Sequence, residues 1–387
     1  MTTQVQPPTL ARFSALQKIL CCPQTKTRLR LVGIEELLTS LSASERTRIP
    51  NQTIGAFISD AAHKAYPVTE RVANFLAQDS LRIRTVSSAT DSGSVTPNSD
   101  DDLKQSVKVW YDRFGWRKNA LGLYHDTASF SQDRPVGHGL YELMSHLSIL
   151  DRLPGGQFVL DAASGAIAHP EYLAFSWFFE SRVCVDMSIT ALMEADTKLR
   201  ETDFCCLSDI CRLPFRDETF DGAISGYTIQ HIPESQQLIA IRELYRIIRP
   251  NAHLCILTGM PYSPQHQGVF FLLRAFRVLL RALHLVRAQV PFSSSNGPHA
   301  EAPPHPLYGF LQKLAWWKKA ASGLTDEYSI ESLRILNKSE FERLFGQSNQ
   351  AAKTLRLIEN AFPRLTFGMS AYCLIDICKP AGDTDTG

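Results

Sequence analysis

The stretch FVLDAASGAIAHPEYLAF, Phe158 to Phe175, constrains the fold more than any other part of the chain. An apolar run, Phe158-Val159-Leu160, ends at Asp161, and a loop of small residues, Ala162-Ala163-Ser164-Gly165-Ala166, follows. His169-Pro170-Glu171 then opens a helix, with proline in the first turn where its missing N–H costs nothing. Strand, tight small-residue turn and helix together form the nucleotide-binding corner of a doubly wound α/β sheet. Small side chains let the backbone approach a ligand closely. The phosphate-cradling pattern G-x-G-x-x-G is absent, and Gly165 by itself makes a dinucleotide pyrophosphate a poor fit.

Four later segments sharpen this reading. Arg182 to Ser188 reads as a second strand ending in an acid, Asp186, whose carboxylate can accept both hydroxyls of a ribose. Leu207 to Phe215 carries Asp209, placed to accept from an adenine amino group. Thr219 to Gly226 reads as a fourth strand running into Tyr227-Thr228-Ile229-Gln230-His231-Ile232-Pro233. Arg242 to Pro250 is a helix stopped by proline, leading to the strand Leu254–Leu257.

This order resembles the class I S-adenosylmethionine-dependent methyltransferases, most closely the small-molecule type that includes quinone-biosynthesis enzymes. The resemblance covers about residues 105–260 and resumes at about 325–380. It implies an α/β fold: a doubly wound, seven-stranded, mostly parallel sheet, with S-adenosyl-L-methionine as cofactor. It also implies that Asp161, Ala163, Ser164 and Gly165 hold the methionine part of the cofactor. Asp186 takes the ribose, Met187 lies against the adenine, Asp209 and Ile210 frame the adenine edge, and Ser225 at the fourth strand tip completes the set. The family has up to three glycines in the first loop, and here Ala163 and Ile167 stand at two of those positions. Ile167 and the extra residues before Pro170 imply a reshaped loop.

The N-terminal eighty residues read as a separate small α+β unit, residues 1–84. Leu20-Cys21-Cys22-Pro23 near its start and Tyr66-Pro67-Val68 near its close resemble the small zinc-ribbon-like domain that activates certain tRNA and protein methyltransferases. A structural zinc needs four ligands, usually two C-x₂-C pairs. Cys21 and Cys22 are adjacent and no second pair exists, so we expect no metal and read the cysteines as small apolar filler. Residues 85–104 are polar and read as a flexible linker, residues 105–380 as the methyltransferase domain, and 381–387 as a disordered tail. The net charge of +1 provides no global basic field to collect nucleic acid. Nine scattered cysteines and a polar, proline-rich start without a signal peptide point to a reducing, cytoplasmic setting.

Helices before the first strand often cap the cofactor in this family, and Tyr111 is the candidate contact; Tyr124-His125-Asp126 and Arg134 to Tyr141 are further pocket candidates. His231 is the candidate base, because its loop opens onto the cofactor crevice and histidine titrates near neutrality. Tyr227 and Gln230 share that loop, with Tyr227 placed to orient a substrate. Residues 259–323 form a long helical insertion. Within it, 268–290 reads as one helix with Arg274, Arg277, Arg281 and His284 on one face, about 35 Å long at 1.5 Å per residue. A lid, a dimer seam and a peripheral membrane contact are its alternative roles. Near the end, Lys338 to Phe345 reads as a helix, while Thr354 to Ile358 and Ala371 to Cys378 read as the last two strands, joined by a hairpin around Gly368.

Three functions compete: transfer of a methyl group to N, O or C of a small-molecule acceptor, a tRNA or protein methyltransferase suggested by the N-terminal unit, and a non-catalytic scaffold that kept only the fold.

Overall fold

The computed structural model describes residues 8–84, 99–119, 122, 124–126, 136–282 and 309–381. Its strands are β1 (Arg30–Gly33), β2 (Thr53–Ser59), β3 (Lys64–Thr69), β4 (Val72–Asn74), β5 (Leu81–Arg82), β6 (Gly156–Ala162), β7 (Phe179–Asp186), β8 (Phe204–Leu207), β9 (Gly222–Gly226), β10 (His253–Gly259), β11 (Tyr328–Arg334) and β12 (Tyr372–Cys378). They form one sheet in the order β1-β2-β3-β4-β8-β7-β6-β9-β10-β12-β11, with β5 paired to β3. From β8 to β10 every pairing is parallel; β12 is antiparallel to β10 and to β11. The central strands are apolar on both faces, as a parallel sheet covered by helices requires. Val159 and Leu160 in β6, and Val183 to Val185 in β7, are all buried.

Chain order reverses at β6, which lies between β7 and β9. Such a switch point opens a crevice at the carboxyl ends of the strands, where open α/β sheets bind ligands.

The N-terminal strands are not a separate sheet. β4 adds in parallel to the free edge of β8, with Val72, Ala73 and Asn74 opposite Cys205, Cys206 and Leu207. The seam continues in side chains: Phe13 meets Phe204 at 6.4 Å, Arg12 lies 3.6 Å from Asp196, and Arg71 also pairs with Asp196. The backbone adds Cys21 N–H to the Pro214 carbonyl at 2.8 Å and Arg216 N–H to the Ile19 carbonyl at 2.9 Å. Cys21 and Cys22 are buried free thiols, the latter 3.4 Å from the Tyr66 hydroxyl.

Some elements differ from the sequence reading. Helix Ser99–Trp110 begins inside the expected linker, with Asp100, Asp101 and Asp102 in its first turn, where the helix dipole favours acids. The rest of that linker, 85–98, and the tail from 382 lie outside the described residues. The insertion helix is Pro264–Ala282, and the remainder of the expected 268–290 span also lies outside them. Thr354 to Ile358 is not a strand but part of helix Asn349–Ala361. Its buried residues, Ala352, Leu355, Arg356 and Glu359, follow helical spacing. The strand before β12 is instead β11, and helices rather than a hairpin connect the two. The helix Lys338–Phe345 stands as expected, with Asn337 and Glu340 forming a capping box.

Candidate active site

A cavity of about 270 Å³ sits at the switch point. The turn after β6 supplies Ala163, Ser164 and Gly165; the end of β7 supplies Asp186, Met187 and Ser188; the loop after β8 supplies Ser208, Asp209 and Ile210; the loop after β9 supplies Gly226 to Thr228 and Gln230 to Ile232. Helix Ser99–Trp110 and the turn after it add Lys104, Tyr111 and Trp116.

The first turn keeps a glycine-like path without the glycines. Ala163 has φ +57°, Gly165 +55° and Ile167 +49°. A left-handed conformation costs a non-glycine residue roughly 1–2 kcal/mol, so Ala163 and Ile167 hold this path under strain. Gly165 is required for a second reason: a Cβ there would meet the Trp116 indole at 2.5 Å. Its N–H donates to Asp186 at 2.9 Å, and the Ser188 N–H donates to the other Asp186 oxygen at 2.8 Å. These bonds fix the acid that ends β7 against the turn that follows β6.

Two of the three expected acids meet at the cavity. Asp186 and Asp209 line it; Asp161 does not. Its carboxylate is turned to the guanidinium of Arg182, which is itself 1% exposed and reaches it through Nε at 3.1 Å and through Nη2. Arg182 lies on the neighbouring parallel strand opposite Val159, two residues before the register partner of Asp161, Cys184. Asp161 therefore holds β6 to β7 rather than facing a ligand. Ser225 is also fully buried away from the cavity, with the adjoining Gly226 at the lining instead. Ala163, Ser164, Gly165, Met187, Ile210, Tyr111, Tyr227 and His231 all line it.

The sequence reading missed several lining residues. Lys104 donates to Asp209 at 2.6 Å and is 8% exposed. Trp116 stacks on Tyr111 with ring centroids 5.4 Å apart. Glu142, His169, Tyr172 and Tyr372 form a second group of cavity walls. Only Lys104 carried a local signal, as the first base after the run of acids that opens its helix.

Burial sets the electrostatics. It pushes Asp186 up to about 6, opposed by the bonds from Ser188 and Gly165, and it pushes Asp126, another lining residue, up to about 6 as well. Two desolvated carboxylates on one cavity suit a ligand that brings positive charge.

Residues 160–256 match the methyltransferase domain family. The demethylmenaquinone methyltransferase of Listeria welshimeri is 31% identical over 127 residues, covering 31% of this chain and 53% of that protein. Its counterpart in Streptomyces griseus is 32% identical over 121 residues, covering 30% and 51%. The chain thus spans about half the length of the curated relatives it matches. Among solved structures, Haemonchus contortus phosphoethanolamine N-methyltransferase 2 aligns at 15% identity with a TM-score of 0.42, over 71% of this chain and 60% of that one. A Haloferax volcanii methyltransferase activator in complex with a putative methyltransferase aligns at 14% identity with a TM-score of 0.39, over 63% and 93%.

S-adenosylmethionine is the cofactor that the sequence resemblance implies, and the lining residues fit it. That cofactor carries an ammonium and a sulfonium, and Asp126 and Asp186 are lining carboxylates whose ionised forms burial disfavours. Asp186 ends the second strand of the domain, where a ribose is taken, and the turn at Gly165 has no side chain to hold a ligand off the backbone.

Proposed function

We propose that this protein transfers a methyl group from S-adenosylmethionine to a small-molecule acceptor by in-line displacement. The observation that carries the reading is the convergence of Asp186, Asp209 and the left-handed Ala163–Gly165 turn on one cavity within the matched domain. When bound, the cofactor supplies a methyl carbon already activated by a sulfonium. The chain's own work is then alignment, which can contribute about 7–11 kcal/mol through effective concentration. Asp186 is placed to hold the ribose hydroxyls, Met187 and Ile210 to pack the adenine, and Asp209 to meet its edge. Ala163, Ser164 and Gly165 form the wall beside the methionine part, with Tyr111 opposite. The acceptor enters from the side of Tyr227, His231 and Tyr372. The names of the Listeria and Streptomyces relatives favour a small organic acceptor over RNA or protein, as does the net charge of +1. Nine free cysteines, eight of them buried, fit a reducing compartment.

Calorimetry with S-adenosylhomocysteine tests the cofactor assignment. We expect micromolar binding and, for Asp186→Ala, a loss of at least about tenfold, of the size expected when hydrogen bonds to a charged group are removed. Unchanged affinity in that variant would remove the ribose assignment, and no binding to the native chain at hundreds of micromolar would remove the enzyme reading.

A further inference from the structure

Beneath the acceptor side of the cavity lies a buried chain of polar groups drawn from five parts of the fold. Glu171, in the short helix Pro170–Ser176, lies 3.1 Å from Nδ1 of His146. His146, fully buried in helix His138–Leu147, presents Nε2 to the Tyr227 hydroxyl at 2.9 Å. Arg334, at the end of β11, donates to the same hydroxyl at 3.2 Å. Arg334 also pairs with Glu142 at 2.8 Å, a charge contact without hydrogen-bond alignment, and lies over the Tyr372 ring at 4.4 Å. Tyr227, Glu142 and Tyr372 line the cavity; His146 and Arg334 stand behind them.

The proton positions follow from the chemistry of the partners. A carboxylate only accepts, so Nδ1 of His146 carries the hydrogen that faces Glu171. Nε2 is then an acceptor, and the Tyr227 O–H donates to it. Arg334 only donates, so the Tyr227 oxygen accepts from it. The hydroxyl is thus arranged to give up its proton to an imidazole and to hold negative charge against a guanidinium. Tyr227 has φ +56°, a strained conformation that the surrounding contacts maintain and that aims a bulky side chain into this position.

We propose that Tyr227 is the catalytic proton acceptor for the methyl acceptor, with His146 and Glu171 as a relay behind it, and that the acceptor is an aromatic hydroxy compound or enol that must lose a proton as it is methylated. The proposal rests on the methyltransferase reading and deepens it. In the step, the acceptor's nucleophilic atom forms its bond to the methyl carbon while the carbon–sulfur bond breaks and leaves its electron pair on sulfur. The acceptor's hydroxyl proton passes to the Tyr227 oxygen, the Tyr227 proton passes to Nε2 of His146, and the imidazolium is held by Glu171 until it returns the proton to solvent. Matched acidities make a phenolic relay efficient toward a phenolic or enolic acceptor. Among the described residues, the side chains facing the Tyr227 ring and hydroxyl include His146, Arg334 and Tyr372, with Glu142, His169, Tyr172 and Glu171 around them. His231, the candidate base from sequence, lines the same cavity, where it meets the edge of the Tyr111 ring at 6.4 Å and the Gln230 amide nitrogen at 3.4 Å.

The test uses 4-nitrophenol, whose anion is coloured, added to the full chain saturated with S-adenosylhomocysteine at a pH below the probe's solution midpoint. We expect the native protein to raise the anion absorbance above that of free probe in a saturable way. Tyr227→Phe, which keeps the ring and its backbone conformation, is expected to abolish that excess, and Glu171→Gln to reduce it severalfold. Calorimetry is expected to show S-adenosylhomocysteine affinity unchanged in both variants, which also reports that they fold. Once an acceptor is in hand, Tyr227→Phe is expected to lower kcat by about 10²–10⁴-fold with KM little changed. An anion signal that is absent from the native protein, or equal in native protein and Tyr227→Phe, overturns the relay while leaving the cofactor reading intact. Loss of S-adenosylhomocysteine binding by the native chain overturns the cofactor reading instead.

Discussion

At Gly165 two constraints meet, a left-handed backbone and an indole ring packed where a side chain would begin. Gly165→Ala is therefore expected to destabilise the protein by at least about 1–2 kcal/mol from the backbone alone and to weaken S-adenosylhomocysteine binding more than tenfold, read by thermal unfolding and calorimetry. The same turn shows how far single residues were legible. Asp186, Asp209 and the small residues between β6 and its following helix were recognisable because their order along the chain mirrors the order of strand tips. The partner of Asp161 was not recognisable. Arg182 lies on an adjoining strand, and nothing in its local sequence says that a guanidinium folds back under the sheet instead of reaching water. A pH effect also belongs here. Asp126 and Asp186 have pKa values raised to about 6 in the ligand-free fold, against an ordinary value of about 3.9. The folded state thus binds extra protons between about pH 4 and 6, and the cost of these two buried charges appears as pH rises through 6. The ionised forms are the ones that accept from ribose hydroxyls and pair with the ligand's ammonium, so ligand affinity moves the other way. We expect S-adenosylhomocysteine binding to strengthen between pH 5.5 and 7 by roughly fourfold if one carboxylate is engaged and more than tenfold if both are. Affinity that is flat over that range would separate both acids from the ligand.

Elements were legible where one period dominated. The parallel strands carry unbroken apolar runs, and the helix Lys338–Phe345 announces itself with Asn337 and Glu340. Helix Asn349–Ala361 was misread because two of its buried positions are charged. Arg356 and Glu359 pair at 2.7 Å, and Glu359 also accepts from the Ile335 N–H at 2.8 Å and from the Tyr141 hydroxyl. With those positions counted as polar, Leu355, Leu357 and Ile358 resemble a short strand, although Leu357 is 69% exposed. Helix Ser99–Trp110 was misread for the opposite reason: its polar start resembles a linker until Lys104 finds Asp209. That pair fastens the helix to the loop after β8. Lys104→Met is expected to destabilise the fold by about 1–3 kcal/mol, below the full cost of breaking a buried pair because Asp209 keeps some solvent contact. Lys104→Met combined with Asp209→Asn is expected to recover part of that loss. Additive effects in this double-mutant cycle would show that the two side chains are not coupled.

At the scale of the whole molecule, the N-terminal strands complete a sheet whose β8 would otherwise present an open edge. The edge is short but apolar: Cys205 and Cys206 are fully buried and face Val72 and Ala73. Exposed edges of this kind template pairing with other chains. The sequence suggested a small unit ahead of the matched region, but not that it adds strands, because β4 has only three residues and its pairing is set by a partner more than a hundred positions away. The join also reaches the ligand side. The Phe75 N–H donates to the Leu207 carbonyl at 2.8 Å, immediately before Ser208 and Asp209 at the cavity. Removing residues 1–84 is therefore expected to do two things: expose the β8 edge, so that the remaining chain elutes as aggregates in size-exclusion chromatography, and loosen the loop that carries Asp209, so that any monomeric fraction binds S-adenosylhomocysteine at least tenfold more weakly than the full chain. Supplying residues 1–84 as a separate polypeptide during refolding is expected to restore both monodispersity and affinity, since the seam is built from backbone pairing and from Arg12 and Arg71 at Asp196 rather than from the covalent connection. A truncated chain that stays monomeric and binds with native affinity would show that the added strands extend the sheet without supporting the site.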